Sequence, residues 1–159
     1  MANKQLLQSA GDGTAVPAGY VGEVKSASAV SASSTSTNAT IVYSNATNEL
    51  LLDAGVWHIY YADSYYKDNS GITGTTPSGW ASGKIRNITD NTDVVKLEFI
   101  TFASTDNDSA YGGAYCLAGV VNITSQKAFR GQLGVSLNSG TQYRFTTRGL
   151  GSFYAVRIA

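Results

Sequence analysis

The segment Val56 to Ala62, VWHIYYA, constrains this chain more than any other. Side chains alternate across a strand, so Trp57, Ile59 and Tyr61 share one face. His58 and Tyr60 share the other. Both faces are therefore aromatic, and one can fill a core while the other meets a neighbour. No segment of the chain sustains a 3.6-residue apolar period, so helices are not expected. Turn residues recur about every ten positions between short β-rich runs. That spacing predicts an antiparallel sandwich or barrel.

The runs are read in chain order as follows. A strand is expected at Gly19 to Val24, then a polar stretch, Ser26 to Asn38, as a loop or loose edge strand. Ala39 to Ser44 and Leu50 to Leu52 come next, with Asp53-Ala54-Gly55 as a turn into Val56 to Ala62. Tyr65 to Trp80 reads as a long Gly/Thr/Ser/Asn loop with aromatic ends; loops of that length usually serve a function. Strands are expected at Lys84 to Thr89 and Val94 to Phe102. In the second, Val95, Leu97 and Phe99 oppose Lys96 and Glu98. Ser104 to Ala114 is a second polar loop. Tyr115 to Thr124, Ala128 to Leu137, Thr141 to Arg148 and Ser152 to Ala159 complete the set, with Asn138-Ser139-Gly140 as a tight turn.

The 159 residues suit one domain, 19–159, preceded by an arm, 1–18. The arm holds one bulky apolar pair, Leu6 and Leu7, with Val16 and Pro17 near its end. Eleven Lys+Arg balance eleven Asp+Glu, and charged residues make up only 14%. A neutral chain lacks the basic excess that holds nucleic acid or an anionic membrane surface. No apolar run is long enough to span a bilayer, and Met1 to Gly13 has no signal-peptide core. The reading is a soluble protein made in a cytoplasm.

Chemistry is sparse. The one histidine, His58, lies in a strand with no nucleophile motif near it, so a structural or interfacial role is expected. The one cysteine, Cys116, excludes an intrachain disulfide and reads as a small buried hydrophobe. Asp106-Asn107-Asp108 carries oxygen ligands, but the rest of an EF-hand loop is missing. Five N-x-S/T triplets are chance products of a Ser/Thr/Asn-rich composition. The expectation is no enzyme, no cofactor and no metal. Tyr65, Tyr66, Trp80 and Tyr111 border the two polar loops and are candidates for surface recognition; they equally suit capping of the sandwich ends.

The string Pro17-Ala18-Gly19-Tyr20-Val21-Gly22-Glu23-Val24 resembles the lead-in of small trimeric jelly-roll heads on tailed-phage fibres and decoration proteins. Leu50 to Ile59 and the closing Phe153 to Ala159 resemble later strands of those domains. The chain departs from typical fibres in having no long upstream shaft. The resemblance implies an all-β, antiparallel jelly-roll sandwich of tumour-necrosis-factor type that assembles as a homotrimer. His58 and Tyr60 become candidates for the trimer interface. Two roles on the virion surface are implied. One is capsid decoration, a cement or head-fibre protein held on the major capsid protein through Leu6, Leu7, Val16 and Pro17. The other is a tail-fibre tip that binds host glycan or protein through loops 65–80 and 104–114.

Overall fold

The computed structural model describes residues 18–67, 78–101, 112–139 and 142–159. Eleven strands are formed: β1 (Val24–Ser28), β2 (Ser33–Ser36), β3 (Val42–Asn45), β4 (Leu50–Leu52), β5 (Gly55–Lys67), β6 (Ser78–Asn87), β7 (Thr92–Thr101), β8 (Gly112–Ile123), β9 (Lys127–Ser139), β10 (Tyr143–Thr147) and β11 (Ser152–Arg157). Among the described residues there is no helix.

The pairings nest. β6 and β7 form the innermost hairpin, and β5 pairs with β8 around it. β3 and β4 both pair with β9, β2 pairs with β10, and β1 pairs with β11. The chain is thus one long antiparallel ribbon doubled back on itself. Three further pairings, β5 with β11, β5 with β10, and β6 with β9, zip the ribbon into two sheets. The first sheet runs β8, β5, then β11 and β10 end to end, then β1 and β2. The second runs β7, β6, β9, with β3 and β4 on its far side. This wrapping of a nested ribbon into two packed sheets is the jelly roll.

Alternation decides what lies between the sheets. Trp57, Ile59 and Tyr61 of β5 are fully buried, as expected. Leu117 of β8, Phe153 and Ala155 of β11, and Phe145 of β10 join them from the same sheet. Ile85 of β6, with Phe129, Leu133 and Val135 of β9, faces them from the other. Two rings are accommodated by missing side chains. A Cβ on Gly131 would lie 2.6 Å from the Tyr61 ring, and one on Gly83 would lie 3.1 Å from the Tyr115 ring. The two hydroxyls then meet, Tyr115 donating to Tyr61 at 2.6 Å, so neither phenol is buried without a partner.

Several boundaries differ from the sequence reading. Residues 18–23 form turns rather than a strand, and the first strand starts at Val24. The low-complexity stretch Ser26 to Asn38 supplies the end of β1 and all of β2, both at one margin of the first sheet, which agrees with a loose edge strand. Their partners lie more than a hundred residues away, so no local pattern announces them. The expected loop 65–80 is shorter: Tyr65 and Tyr66 continue β5, and Trp80 lies in β6. Likewise β8 begins at Gly112, inside the expected loop 104–114. Long cross-strand pairing extends all three strands beyond what β-propensity alone marks. Residues 68–77 and 102–111, and therefore Tyr111, Asp106 and Asp108, lie outside the described residues, as do Leu6, Leu7, Val16 and Pro17. Leu97 keeps the expected inward register, opposite Gly83, but stays 43% exposed because β7 is an edge strand.

Between β10 and β11 the chain makes a short jog that lets one side of β5 pair with two strands in succession. Gly149 turns it with φ of +68°, and a Cβ there would sit 2.5 Å from the backbone of Ser31. Only glycine meets both conditions without strain.

The Tyr61–Gly131 contact makes a direct forecast. Gly131→Ala pushes a methyl into the ring and should destabilise the fold by about 1–3 kcal/mol, read as a lower denaturation midpoint at unchanged m-value. An unchanged midpoint would show that the layers are not held at this spacing by that contact.

Candidate self-association face

The sandwich has two poles. At one lie Ala18 to Glu23, the Asp53–Gly55 turn, the β6–β7 and β8–β9 turns, and Ala159. The strand ends at Lys67, Ser78, Thr101 and Gly112 lie at the other. The first pole is closed by a charged clamp. Arg157 lies over the Trp57 ring at 4.3 Å; its Nε donates to Glu23 Oε2 at 2.9 Å, and its Nη1 donates to the Ala54 carbonyl at 2.6 Å. Glu23 Oε2 also accepts from the Gly19 amide at 2.7 Å, which ties the lead-in turn to the last strand. Lys25 reaches Asp53 at 2.5 Å, and Gln126 donates to the same carboxylate at 2.8 Å. Those two partners hold the Asp53 carboxyl below its ordinary range, Lys25 contributing most.

These charges all lie on the inward register of β1 and β11 or in the turns beneath. The outward register differs. Across β1, β11, β5 and β8, one row reads Val24, Val156, His58, Val120. The next reads Ser26, Tyr154, Tyr60, Ala118, and the third Ser28, Ser152, Ala62, Cys116. Ser64 and Ala114 extend it at one end, Val56 and Asn122 at the other. None of these residues carries a formal charge. Its centre is a ladder of rings. Tyr60 stacks on Tyr154 at 5.0 Å, and His58 lies 4.3 Å from Tyr60, with Nδ1 and the Tyr60 hydroxyl 3.0 Å apart. All three rings are half-buried. Val24 and Val120 are 62% and 59% exposed, respectively, so the face is open at both margins.

β8 adds a second feature. Its outward residues, Gly112, Ala114, Cys116, Ala118, Val120 and Asn122, are small or apolar and all exposed. Among the described residues it pairs with β5 alone, so its other edge is free. Exposed edges of soluble proteins usually carry Lys, Pro or a bulge to prevent pairing with another chain. β8 carries none of these. Cys116 is exposed rather than buried, contrary to the sequence reading, because the register of β8 turns Tyr115 and Leu117 inward.

The outer face of the second sheet has the opposite character. Lys84 lies over the Tyr43 ring at 3.9 Å and pairs with Asp93 at 3.1 Å; Arg86 meets the same carboxylate at 2.6 Å. Lys96 pairs with Glu98 and Arg130 with Glu49 on this face, while Lys127 pairs with Asp90 at the clamped pole. Ion pairs therefore mark this face, which also exposes Leu51 and Trp80. Burial pushes the Asp93 carboxyl up, but Arg86 and Lys84 outweigh it and hold it below the usual range.

The remaining candidate residues do not converge. Tyr65 turns inward, its ring 5.4 Å from Phe145 and 6.0 Å from Tyr115. Tyr66 turns outward on the first sheet, 5.7 Å from the Arg148 guanidinium. Trp80 is 44% exposed on the second sheet. Sequence alone placed all three in one loop; strand register sends them to three different surroundings. Tyr154 and the small residues of β8 were missed as face residues, although alternation with Phe153 and Tyr115 was the available signal.

Catalytic or metal-binding chemistry has little to start from. His58 has a phenol as its partner, not a carboxylate or nucleophile. Among the described residues no three His, Cys, Asp or Glu side chains gather where a metal could sit. Asp63 is a buried carboxylate, raised mainly by burial. It lines an open cavity of about 270 Å³ with Tyr115 and Leu150. Yet it accepts from the Ser64 amide at 2.8 Å, and the amides of Leu150 and Gly149 also reach it. It therefore pins the β10–β11 jog.

No protein-family model matches the sequence, and no curated protein matches it. The fold does have likenesses among solved structures. One is the T13 particle of infectious bursal disease virus, at a TM-score of 0.51 and 16% identity over 85% of this chain. Another is the T=1 particle derived from the same virus, at 0.51 and 13% over 86%. A looser one is Eiger, a TNF from S. frugiperda, at 0.45 and 10%, covering 87% of this chain and 94% of that one. This chain spans about a third of the virus proteins it matches, 30% and 31% of their lengths. At such identities the likeness shows the fold: an all-β jelly-roll sandwich of two antiparallel sheets.

The ion pairs of the second sheet give a pH-dependent forecast. A carboxyl lowered by folding adds stability above its unfolded value, near pH 3.9, and loses it as pH falls through the folded value. Asp93→Asn should therefore cost about 1 kcal/mol or less at pH 7 and nothing at pH 2, measured by urea denaturation at each pH. A cost that persists at pH 2 would point to packing rather than charge.

Proposed function

We propose that this protein is a non-enzymatic structural component of a virion surface, a homotrimeric decoration protein that binds an assembled capsid. The observation that carries the reading is the uncharged outward face of β1, β11, β5 and β8, set against the ion-paired face opposite. A monomer gains nothing from an open, neutral, aromatic sheet, whereas a self-associating subunit covers it. Closed cyclic symmetry satisfies such a face in every copy. His58 and Tyr60 would then lie in the subunit interface, with Tyr154 beside them. Two of the solved likenesses are virus particles, which supports a structural role of this general kind.

The two-pole layout supports the division of labour. Residue 18 enters at the clamped pole, so the arm 1–18 would reach the capsid there through Leu6, Leu7, Val16 and Pro17. Three arms on one trimer raise the effective concentration at a symmetric capsid site. Binding that favours the assembled shell stabilises it by mass action. No nucleic acid or membrane enters this mechanism.

A tail-fibre tip is the second reading. Its support is that the strand ends Lys67, Ser78, Thr101 and Gly112, which flank 68–77 and 102–111, lie at the far pole, with Trp80 exposed close to Ser78. There a host glycan or protein would be the partner.

Light scattering on the purified full chain should give about three chains per particle at neutral pH. A monodisperse monomer would refute the assembly. Deleting residues 1–18 should leave that particle intact and abolish co-sedimentation with capsids of the same virus. Capsid binding unchanged by the deletion would remove the arm as anchor, and adsorption to cells lost on Trp80→Ala would favour the tip.

A further inference from the structure

The sole histidine of the chain sits in the middle of the neutral face. Val156 of β11 and Val120 of β8 stand directly beside His58, with Val24 of β1 beyond Val156. Tyr60 on its own strand and Tyr154 on β11 are the titratable groups that face it, and both are phenols. Cys116 lies two rows away on β8. Of the charged residues of these strands, Lys25, Asp63 and Arg157 alternate to the inward side, and Lys67 ends β5 nine positions from His58. Among the described residues no carboxylate pairs with His58; Asp90 and Asp93, which line a cavity with Val120, are held by Lys127 and by Lys84 and Arg86.

From strand spacing and rise, β5 and β8 give the face roughly 30 Å of length and β1 and β11 roughly 17 Å, or about 450 Å² in plane. Even before side-chain relief that is over half of the ~800 Å² per partner of a stable interface. Its described residues carry no formal charge, so a neutral surface on another copy suits it better than a charged partner. The occupant is a second copy of this chain, which rests on the assembly reading above.

We propose that protonation of His58 releases the copies from one another, making the assembly a pH-sensitive one that is closed at neutral pH and opened by mild acid. Imidazole is the side chain that gains charge between pH 5 and 8. In a separated subunit the half-buried ring can turn its charge toward water. Between two neutral faces that charge is desolvated with no counter-ion. The neutral ring is compatible with the closed state, its Nδ1 sharing the proton of the Tyr60 hydroxyl; the doubly protonated ring can only donate there. The sign follows: separated subunits bind more protons than the assembly, so association weakens as pH falls. The effect compounds with symmetry. Each copy contributes up to about tenfold per pH unit, so a trimer loses up to about a thousandfold in its association constant per unit.

The test uses the full chain, followed by sedimentation velocity from pH 8 to pH 5. The wild type should be assembled at pH 8 and dissociate near pH 6 or below. His58→Gln and His58→Phe, whatever their affinity at pH 8, should show a flat pH dependence. Ala118→Arg, on the neutral face but away from the ring, should be monomeric at every pH. Because the histidine is unique, its proton resonance needs no assignment; it should titrate at lower pH in the wild-type assembly than in the Ala118→Arg monomer. An assembly constant unchanged from pH 8 to pH 5, or the same titration midpoint in both proteins, overturns the switch and leaves the face standing. A wild type that is monomeric at pH 8, or Ala118→Arg that assembles normally, overturns the face itself and the switch with it.

Discussion

Two aromatic rings laid against two glycines set the distance between the sheets, and the remaining core is arranged around them. Tyr61 covers Gly131 and Tyr115 lies against Gly83. Each ring occupies space that a side chain on the opposite sheet would otherwise fill. Their hydroxyls join in the layer between, which lets large amphipathic rings serve as core without a stranded polar group. Burial pushes both phenols well above the usual range, so they remain neutral donors at any physiological pH. Trp57, Phe129, Phe145 and Phe153 then fill the space on either side.

The asymmetry of the two outer faces follows from the same geometry. Alternation places every second residue of β5, β8 and β11 outward, and there the sequence carries Val, Ser, Ala, Tyr, His and Cys but no charge. On β6, β7 and β9 the outward positions carry Lys, Arg, Glu and Gln. Both arrangements protect the core equally well. They differ in what they do next, because ion-paired surfaces stay solvated while neutral aromatic ones gain by being covered. The clamp of Glu23, Arg157 and Trp57 keeps the cationic end of β11 turned inward, so the closing strand adds no charge to the neutral face.

Much of this was legible in the residues. The strand through VWHIYYA, its two aromatic faces, the inward Val95 and the terminal strand all follow from period-two alternation, which is a local property. The place of His58 and Tyr60 on the outward face was legible for the same reason. Less local features were not. Ser26 to Asn38 has almost no apolar signal, yet it forms the end of β1 and all of β2 because Ser152 to Tyr154 and Tyr143 to Thr146 pair their backbone with it. The apparent loops at Tyr65 and at Gly112 are strand because β5 and β8 pair over twelve positions, and their mutual hydrogen bonds outweigh the glycines and serines in them.

Local pattern therefore determined the class of fold, the side each residue takes along its strand, and the neutrality of the chain. Tertiary structure decided which strands lie beside which, and with that which outward residues are gathered into one surface. Val24, Tyr154, Tyr60 and Ala118 are scattered over 130 residues and become neighbours only when the ribbon is wrapped. The physical reason is that side-chain direction is set by the adjacent peptide units, whereas strand order is set by backbone hydrogen bonds and apolar burial between segments far apart in the chain.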